Sequence, residues 1–597
     1  MKNVFSYYEN NIAAYTRREN NLRKKIHLYG TIRLALIVAM LVTIWFLRAQ
    51  DWRILVGVSL LYLLPFAALM VYHSFLSNRK TYAEALIKLC ENEINGLNYN
   101  FSAFDGASDK INSEHSYSLD LDLFGERSFF QSINRTVTSV GRELLINWFI
   151  KPLTNKNEIL KRQEAIQELS ALSQLRQHFY VTGILRPGKK NDVDLLTKLT
   201  ESPVYFANSI FWKLAVWVVP IVWIFLFIGL GLGFVSPQVF GALFVVSFLG
   251  AYSKIKQIGK LHETVNKMEK IFTTYARLMK SIEGDTYKSE ILTEISSRLV
   301  CDKVTASNAI KKLSSHIGVL DQRGTFTAVI LNIFTYRDIR ACISLEKWNL
   351  LYGKEAYGWF TELACFDALS SLAGFAFNHP EYVYPAIADS YFQMEGKALG
   401  HPLIDRTVCV KNDISIEKSP WFLIVTGANM AGKSTYLRTI GINFLLSCIG
   451  APVCADELKV YPAQMVTSLR TSDSLVSNES YFFAELKRLK MIIDRLKEGE
   501  ELFIILDEIL KGTNSIDKQK GSFALLKQLI NYKTCGIIAT HDLALGTLEE
   551  EFPEQVKNFR FEADITNDEL TFTYKIREGV AQNMNASFLM KKMGITL

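Results

Sequence analysis

Hydrophobic positions along the chain fall into three regimes. From Leu214 to Ser253 there is no Asp, Glu, Lys or Arg for 40 residues, and the Gly, Ser and Pro residues around Phe234 to Gln238 predict a turn in the middle. Each half is about 19 residues, which at a 1.5 Å rise covers roughly the 30 Å hydrocarbon thickness of a bilayer. The pattern therefore predicts a transmembrane hairpin; a hairpin buried in a large helical core is the alternative. Leu28 to Leu47 and Ile54 to Phe75 form a second apolar pair, joined by a polar tip containing Arg48, Asp51 and Arg53, with Arg33 close enough to one end of its span to snorkel. A cleavable signal peptide does not fit the first block, because some 27 highly charged residues precede it and another span follows at once.

The second regime has helical periodicity. Asn134 to Leu145 predicts a capped amphipathic helix, ended before Pro152, with Leu144, Leu145 and Trp148 on one face. In Glu362 to Ala376 the spacing of Phe366, Leu369, Leu372 and Phe375 does the same. The third regime is an alternation of short apolar runs with helical patterns: strands at Trp421 to Thr426, Leu502 to Leu506 and Cys535 to Thr540, and a helix at Tyr436 to Cys448. That order predicts an α/β domain with a predominantly parallel sheet, attached to an all-helical core and two transmembrane hairpins. The expected division is an N-terminal segment 1–27, hairpin 28–80, linker 81–120, first core part 121–210, hairpin 211–253, lever and core helices 254–394, and α/β domain 395–597. The polar stretch Asn98 to Ser118 is the expected tether.

Charge fixes an orientation. Arg17, Arg18, Arg23, Lys24 and Lys25 precede the first span, Arg79 and Lys80 follow the second, and Lys254, Lys256 and Lys260 follow the fourth. By the positive-inside bias both hairpins enter and leave from the cytoplasmic side, so a four-span protein keeps its N-terminus, core and α/β domain in the cytoplasm. The net charge of +7 is met as well by anionic lipid at these flanks as by nucleic acid. Eight Cys with no C-x-x-C pair argue against both a zinc site and a disulfide framework.

The chemistry sits in the α/β domain. Thr426 to Thr435 (TGANMAGKST) is a phosphate-binding loop between a strand and a helix. Gly427 and Gly432 let amide hydrogens face phosphates, Lys433 neutralises the terminal phosphates, and the Ser434 hydroxyl suits magnesium. The strand Leu502 to Leu506 ends in Asp507 and Glu508, of which the first can hold magnesium through water and the second can orient or activate the attacking water. A third strand delivers His541 to the same edge, where it can sense the terminal phosphate. ATP hydrolysis with Mg²⁺ is the favoured reading.

These words, TGANMAGKST with its Asn429-Met430 pair, DEILKGT at Asp507 to Thr513 and ATH at Ala539 to His541, resemble the ATPase domain of the MutS family of DNA mismatch-repair proteins, within the ABC-type ATPase class. Gly400-His401-Pro402, Ser480 to Glu485, Tyr574-Lys575 and Gly579-Val580-Ala581 extend the resemblance over about residues 395 to 590, and the 134–153 and 362–376 segments are similar to the family's core and lever helices. It implies that Gly427, Asn429, Gly432, Lys433, Ser434 and Thr435 hold the nucleotide. It further implies a homodimer through the ATPase domain, in which Ser480 reaches the facing subunit's nucleotide, and DNA as a partner. A helix N-cap by Ser477, Asn478 or Ser480 is the local alternative for that last segment. The position that faces adenine in the family holds Cys409 or Val410 here, and the mismatch-reading domain is replaced by the first hairpin. Phe124-Gly125-Glu126 has the spelling of a mismatch wedge, but the pattern recurs at Phe360 and Phe483 and carries no weight. The implied function is a membrane-anchored MutS-like ATPase driving clamp-like movement on DNA. A membrane-bound mechanochemical ATPase acting on a protein or lipid assembly is the alternative, and a transporter half the third.

Overall fold

The computed structural model describes residues 2–185, 192–266, 268–301, 304–428, 430–470, 481–511, 513–566 and 569–582. The chain opens with two very long antiparallel helices, α1 (Lys2–Phe46) and α2 (Trp52–Leu97). Their far halves carry the first apolar pair and present it outward: no residue of either apolar window is buried. Asp51 caps α2 by accepting from the Arg53 amide, while Arg48 and Arg53 lie over the Trp45 and Trp52 rings at the tip. Their near halves pack on the core through Val4, Tyr8, Cys90 and Leu97.

Two sequence expectations change here. The N-terminal segment and the first part of the expected linker are continuations of α1 and α2. The stretch Asn98 to Ser118 is no free tether either: Tyr117 is buried and donates to the carbonyls of Phe149 and Ile150, and the Ser116 carbonyl accepts from the Thr467 amide. Just beyond it, the Asp120 carboxylate accepts from the Thr467 hydroxyl and the Leu469 and Arg470 amides. Polar residues here satisfy a neighbouring domain's backbone, which composition alone does not distinguish from a solvated loop.

The helical core that follows includes α3 (Ser139–Ile150), α4 (Ser173–Ile184), α5 (Ile210–Gly231), α6 (Pro237–Tyr252), α7 (Glu269–Glu283), α8 (Phe326–Thr335) and α9 (Arg337–Asn378), with further helices such as Lys156–Ala171 and Ala306–Asp321 packed on α9. The Thr138 hydroxyl accepts from the Gly141 amide and so caps α3, whose Leu145 and Trp148 are buried as the spacing predicts. The second apolar block is the α5–α6 pair, joined at Leu232 to Ser236 and largely exposed. Its halves are unequal: α5 has 22 residues, whereas α6 has 16 and reaches span length only together with Ile255–Val265, across a 46° bend. Helix α8 is a third apolar element on this pair. Phe334 meets Trp223 edge-on at 4.8 Å, the Ser247 hydroxyl donates to the Ile333 carbonyl, and Phe326 stays exposed.

Helix α9 has 42 residues, about 63 Å at 1.5 Å per residue, and is apolar enough by composition to span. It is instead the axis of the core, with 67% of its apolar window buried. Both hairpins are fastened to it. Near its start Arg340 donates to the Val216 carbonyl at 2.6 Å, and the buried Glu346 carboxylate accepts from the Tyr205, Phe206 and Ala207 amides at the entrance to α5. Near its end the Asn378 side chain accepts from the Tyr8 hydroxyl and donates to Glu93, which is paired with Arg135 at 2.6 Å. Between the two, Asp367 accepts from the Val137 and Thr138 amides.

The α/β domain is built on a six-stranded sheet of β1 (Trp421–Gly427), β2 (Gln464–Ser468), β3 (Leu502–Asp507), β4 (Cys535–Thr540), β5 (Val556–Thr566) and β6 (Glu569–Glu578), in the spatial order β6-β5-β1-β4-β3-β2. All pairs are parallel except the β5–β6 hairpin at one edge. The near-continuous burial of β1, β3 and β4 reflects cover on both faces. Helices α10 (Lys433–Cys448), α11 (Tyr481–Lys497) and α12 (Ser515–Asn531) supply it, and a smaller four-stranded sheet lies beside them. The expected predominantly parallel sheet is present.

Candidate functional site

Strands β1, β3 and β4 end at one edge of the sheet, and the residues that follow each of them line a single pocket of about 660 Å³. Lys433, Ser434, Thr435, Asp507, Glu508 and His541 all face it. Chain reversal at the end of β1 requires its glycines. Gly427 (φ +151°) runs against the Phe561 carbonyl, which a Cβ would meet at 2.4 Å, and Gly432 (φ +107°) is the N-cap of α10. The amino end of α10 therefore points into the pocket, as an anion requires.

Lys433 is buried and its ammonium turns back on the loop, donating to the carbonyls of Gly427 at 2.7 Å and Ala428 at 2.8 Å. Burial pushes its pKa down to about 8, against the opposing pull of Asp507 and Glu508. His541 lies 3.5 Å from it, and burial together with the Lys433 charge holds the imidazole below its ordinary range, so it is neutral at pH 7. The Ser434 hydroxyl donates to Asp507 at 2.5 Å. These are two hard oxygen donors at the mouth of a phosphate loop, the donor set Mg²⁺ takes when substrate phosphates and water supply its remaining ligands. Among the described residues no group of three or more His, Cys, Asp or Glu is placed to hold a metal ion.

Glu508 sits in a left-handed backbone conformation (φ +51°), its amide donating to the Ala539 carbonyl. Burial raises its pKa, but Lys518 and Lys511 outweigh burial and hold the carboxyl below its usual range. Glu485 on α11 accepts from the Leu510 and Lys511 amides, tying that helix to the turn after β3. In the sequence Glu485 lies within a motif that gives it no role, and nothing singles out Lys511 or Lys518.

The remaining wall is formed by His401, Ile404, Val408, Cys409, Val410, Asn412 and Tyr574. Cys409 and Val410 thus stand at the pocket, as expected, and offer no ring. Tyr574, quoted only as part of a motif, offers one: its carbonyl accepts from the Asn412 side chain, and its ring edge packs 3.1 Å from where a Gly432 Cβ would stand. Asn429 and Ser480 lie outside the described residues. Phe124 is buried against Phe130, with ring centroids 5.5 Å apart, and is no projecting wedge.

A strand–loop–helix phosphate cradle with its acidic and histidine strands alongside defines a P-loop domain, here carried on a helical core. Residues 423–592 match MutS domain V, and residues 112–373 match MutS domain III. The DNA mismatch repair protein MutS of Thermotoga petrophila is 32% identical over 238 residues, 39% of this chain and 29% of that protein. Those of Thermosipho melanesiensis (24% over 513 residues; 76% and 58%) and Ehrlichia chaffeensis (26% over 360 residues; 58% and 42%) are similar over longer stretches. The chain belongs to the MutS family. It spans less than two thirds of the length of these relatives.

Proposed function

We propose that the protein is a membrane-anchored MutS-family ATPase in which ATP binding and hydrolysis move the helical arms. The observation that carries the reading is the convergence of Lys433, Ser434, Asp507, Glu508 and His541 on one pocket at the amino end of α10. In this mechanism the loop amides and Lys433 bind the phosphates, with the ammonium leaving the Gly427 and Ala428 carbonyls for the β- and γ-phosphates. Ser434 and Asp507 would hold Mg²⁺, which would supply charge neutralisation at the phosphates. Glu508 takes a proton from the attacking water once Lys511 and Lys518 yield it, and neutral His541 donates to the γ-phosphate. Gly427, Asn429, Gly432 and Thr435 complete the cradle, Tyr574 offers its face to the base, and Ser480 serves the facing subunit of a homodimer.

The anchoring half rests on exposed apolar surface. Helices α1, α2 and α5 are long enough to cross a bilayer, their apolar windows are almost wholly exposed, and the basic residues at the base of each hairpin favour the cytoplasmic side. DNA as the ligand of the arms follows from family membership. A second reading, in which the arms work on the bilayer or on a membrane-bound protein assembly, is favoured by one observation: the start of α9 meets the exposed apolar helices α5 and α8. Turnover measured in nanodiscs with and without duplex, mismatched and branched DNA, across a salt series, separates the two. A DNA clamp gives DNA-altered turnover that fades as salt rises. Flat turnover and no binding at low salt reject it.

A further inference from the structure

Besides the nucleotide pocket, the described residues line an open cleft of about 1220 Å³ where α2, α4 and α7 meet. Helix α4 packs on both of the others and forms the floor. Asn78, Thr81 and Tyr82 line it from α2, and Arg277 and Lys280, one turn apart on α7, line it from the other side with their side chains exposed. On the floor His178 is bonded to the Tyr82 hydroxyl at 2.6 Å, and burial keeps its imidazole neutral at pH 7. Among the described lining residues the charged side chains are Arg277, Lys280 and Asp285.

The position of the cleft on α2 decides what it fits. Residues i, i+3, i+4 and i+7 share a helix face, so the face that gives Asn78, Thr81 and Tyr82 to the cleft carries Val71, Ser74 and Phe75 directly above it. Val71 is 73% exposed and Phe75 49%, and both belong to the apolar end of the helix. Phe75 to Asn78 is a rise of only about 4.5 Å. A cationic, hydroxyl-rimmed cleft that continues within one turn into a bare apolar helix face matches an amphiphile with an anionic head and acyl chains. Nucleic acid would bring phosphates against that apolar face. The exposed Arg17, Arg18, Arg23, Lys24 and Lys25 on α1 add attraction for an anionic leaflet.

We propose that this cleft binds the phosphate-bearing headgroup of an anionic phospholipid from the leaflet at the base of the first hairpin, with its chains along α2. The proposal rests on the reading that α1 and α2 enter a bilayer. Native mass spectrometry of the detergent-solubilised full chain, titrated with phosphatidylglycerol or phosphatidylcholine, tests it. The first phosphatidylglycerol should bind more tightly, and Arg277→Gln and Lys280→Gln should each weaken it about fivefold, the factor for about 1 kcal/mol per cation near anionic lipid. Gln174→Glu, on the exposed face of α4 within the cleft, removes no cation and guards against a folding artefact; it should weaken the same lipid and leave phosphatidylcholine unchanged. Equal affinities in the wild type, or an unchanged preference in all three variants, overturn the site. Displacement of the lipid by inorganic phosphate, beyond that by chloride at equal ionic strength, assigns the cleft to free phosphate and overturns the lipid. Loss of duplex DNA binding in the variants, with lipid unaffected, assigns it to nucleic acid and overturns it too. Alkaline carbonate extraction reads the anchoring separately: membrane-retained protein without lipid preference sinks this proposal alone.

Discussion

Lys518 Nζ lies 3.2 Å from one oxygen of Glu508, and Lys511 Nζ lies 3.4 Å from the other. The carboxylate proposed as general base is therefore held from both sides, and hydrolysis requires that hold to loosen. Glu508→Gln keeps the size and can still position water, but cannot accept its proton. ATP binding measured by fluorescent-nucleotide titration should stay close to wild type while turnover falls by about 10²- to 10⁴-fold. If Asp507→Asn instead preserves Mg²⁺-dependent turnover, the roles of the two carboxylates are exchanged.

Lys433 gives a pH dependence whose sign is fixed by burial. Its pKa is pushed down to about 8 in the folded protein against 10.5 for an ordinary lysine, so between those values the unfolded chain binds more protons. Nucleotide-free stability attributable to this group therefore rises with pH through that window and is flat below it. A bound triphosphate favours the charged ammonium and reverses the preference. ATP binding should take up a proton at pH 8.5 and almost none at pH 6.5, read by calorimetry in buffers of different ionisation enthalpy. Absence of buffer dependence at both values would remove Lys433 from the phosphates. Lys433→Ala should in turn weaken ATP by at least about 2 kcal/mol, the order of a charge-assisted hydrogen bond.

Glu346 holds three backbone amides at the entrance to α5 from within the core. Alanine leaves the buried Phe206 and Ala207 amides without an acceptor, a loss of about 3 kcal/mol. Glu346→Ala should lower the thermal midpoint of the detergent-solubilised protein while ATP affinity is retained, because the nucleotide pocket draws on no residue of α9. Loss of ATP affinity in a folded Glu346→Ala protein would show that α9 is coupled to the pocket more tightly than its contacts imply.

What was legible in the sequence was local. Gly427, Lys433 and Ser434 declare themselves because a phosphate loop must be contiguous, and Asp507 and His541 because each ends an apolar run of strand length. The apolar blocks were legible for the same reason, although α6 fell short of its expected length and α8 was missed, being ten residues long. What was not legible arises from distant parts of the chain meeting. Lys518 reaches Glu508 from α12, Tyr574 reaches the pocket from the edge hairpin, and Asp120 satisfies amides just after β2 in the α/β domain. No periodicity or spacing encodes such meetings. A charged residue on a helix reads the same whether it meets water or a catalytic carboxylate.

The hairpins carry the remaining prediction. Ile224 and Phe225 are exposed on α5, whereas Trp223 beside them is buried against Phe334, so the outward face can be altered without touching the packed one. A charged side chain at the centre of a lipid-facing helix costs about 2.5 to 3.5 kcal/mol on insertion scales. Ile224→Lys with Phe225→Lys should therefore expel the α5–α6 pair from the bilayer while α1 and α2 still hold the protein there. Removing residues 28–75 as well, with a short turn in their place, should release a folded ATPase, because the near halves of α1 and α2 keep their own contacts through Val4, Tyr8, Cys90 and Leu97. Alkaline carbonate extraction decides it. Wild-type protein in the soluble fraction would mean that the exposed apolar faces are covered by protein and not by lipid, and the anchoring reading would fall with them.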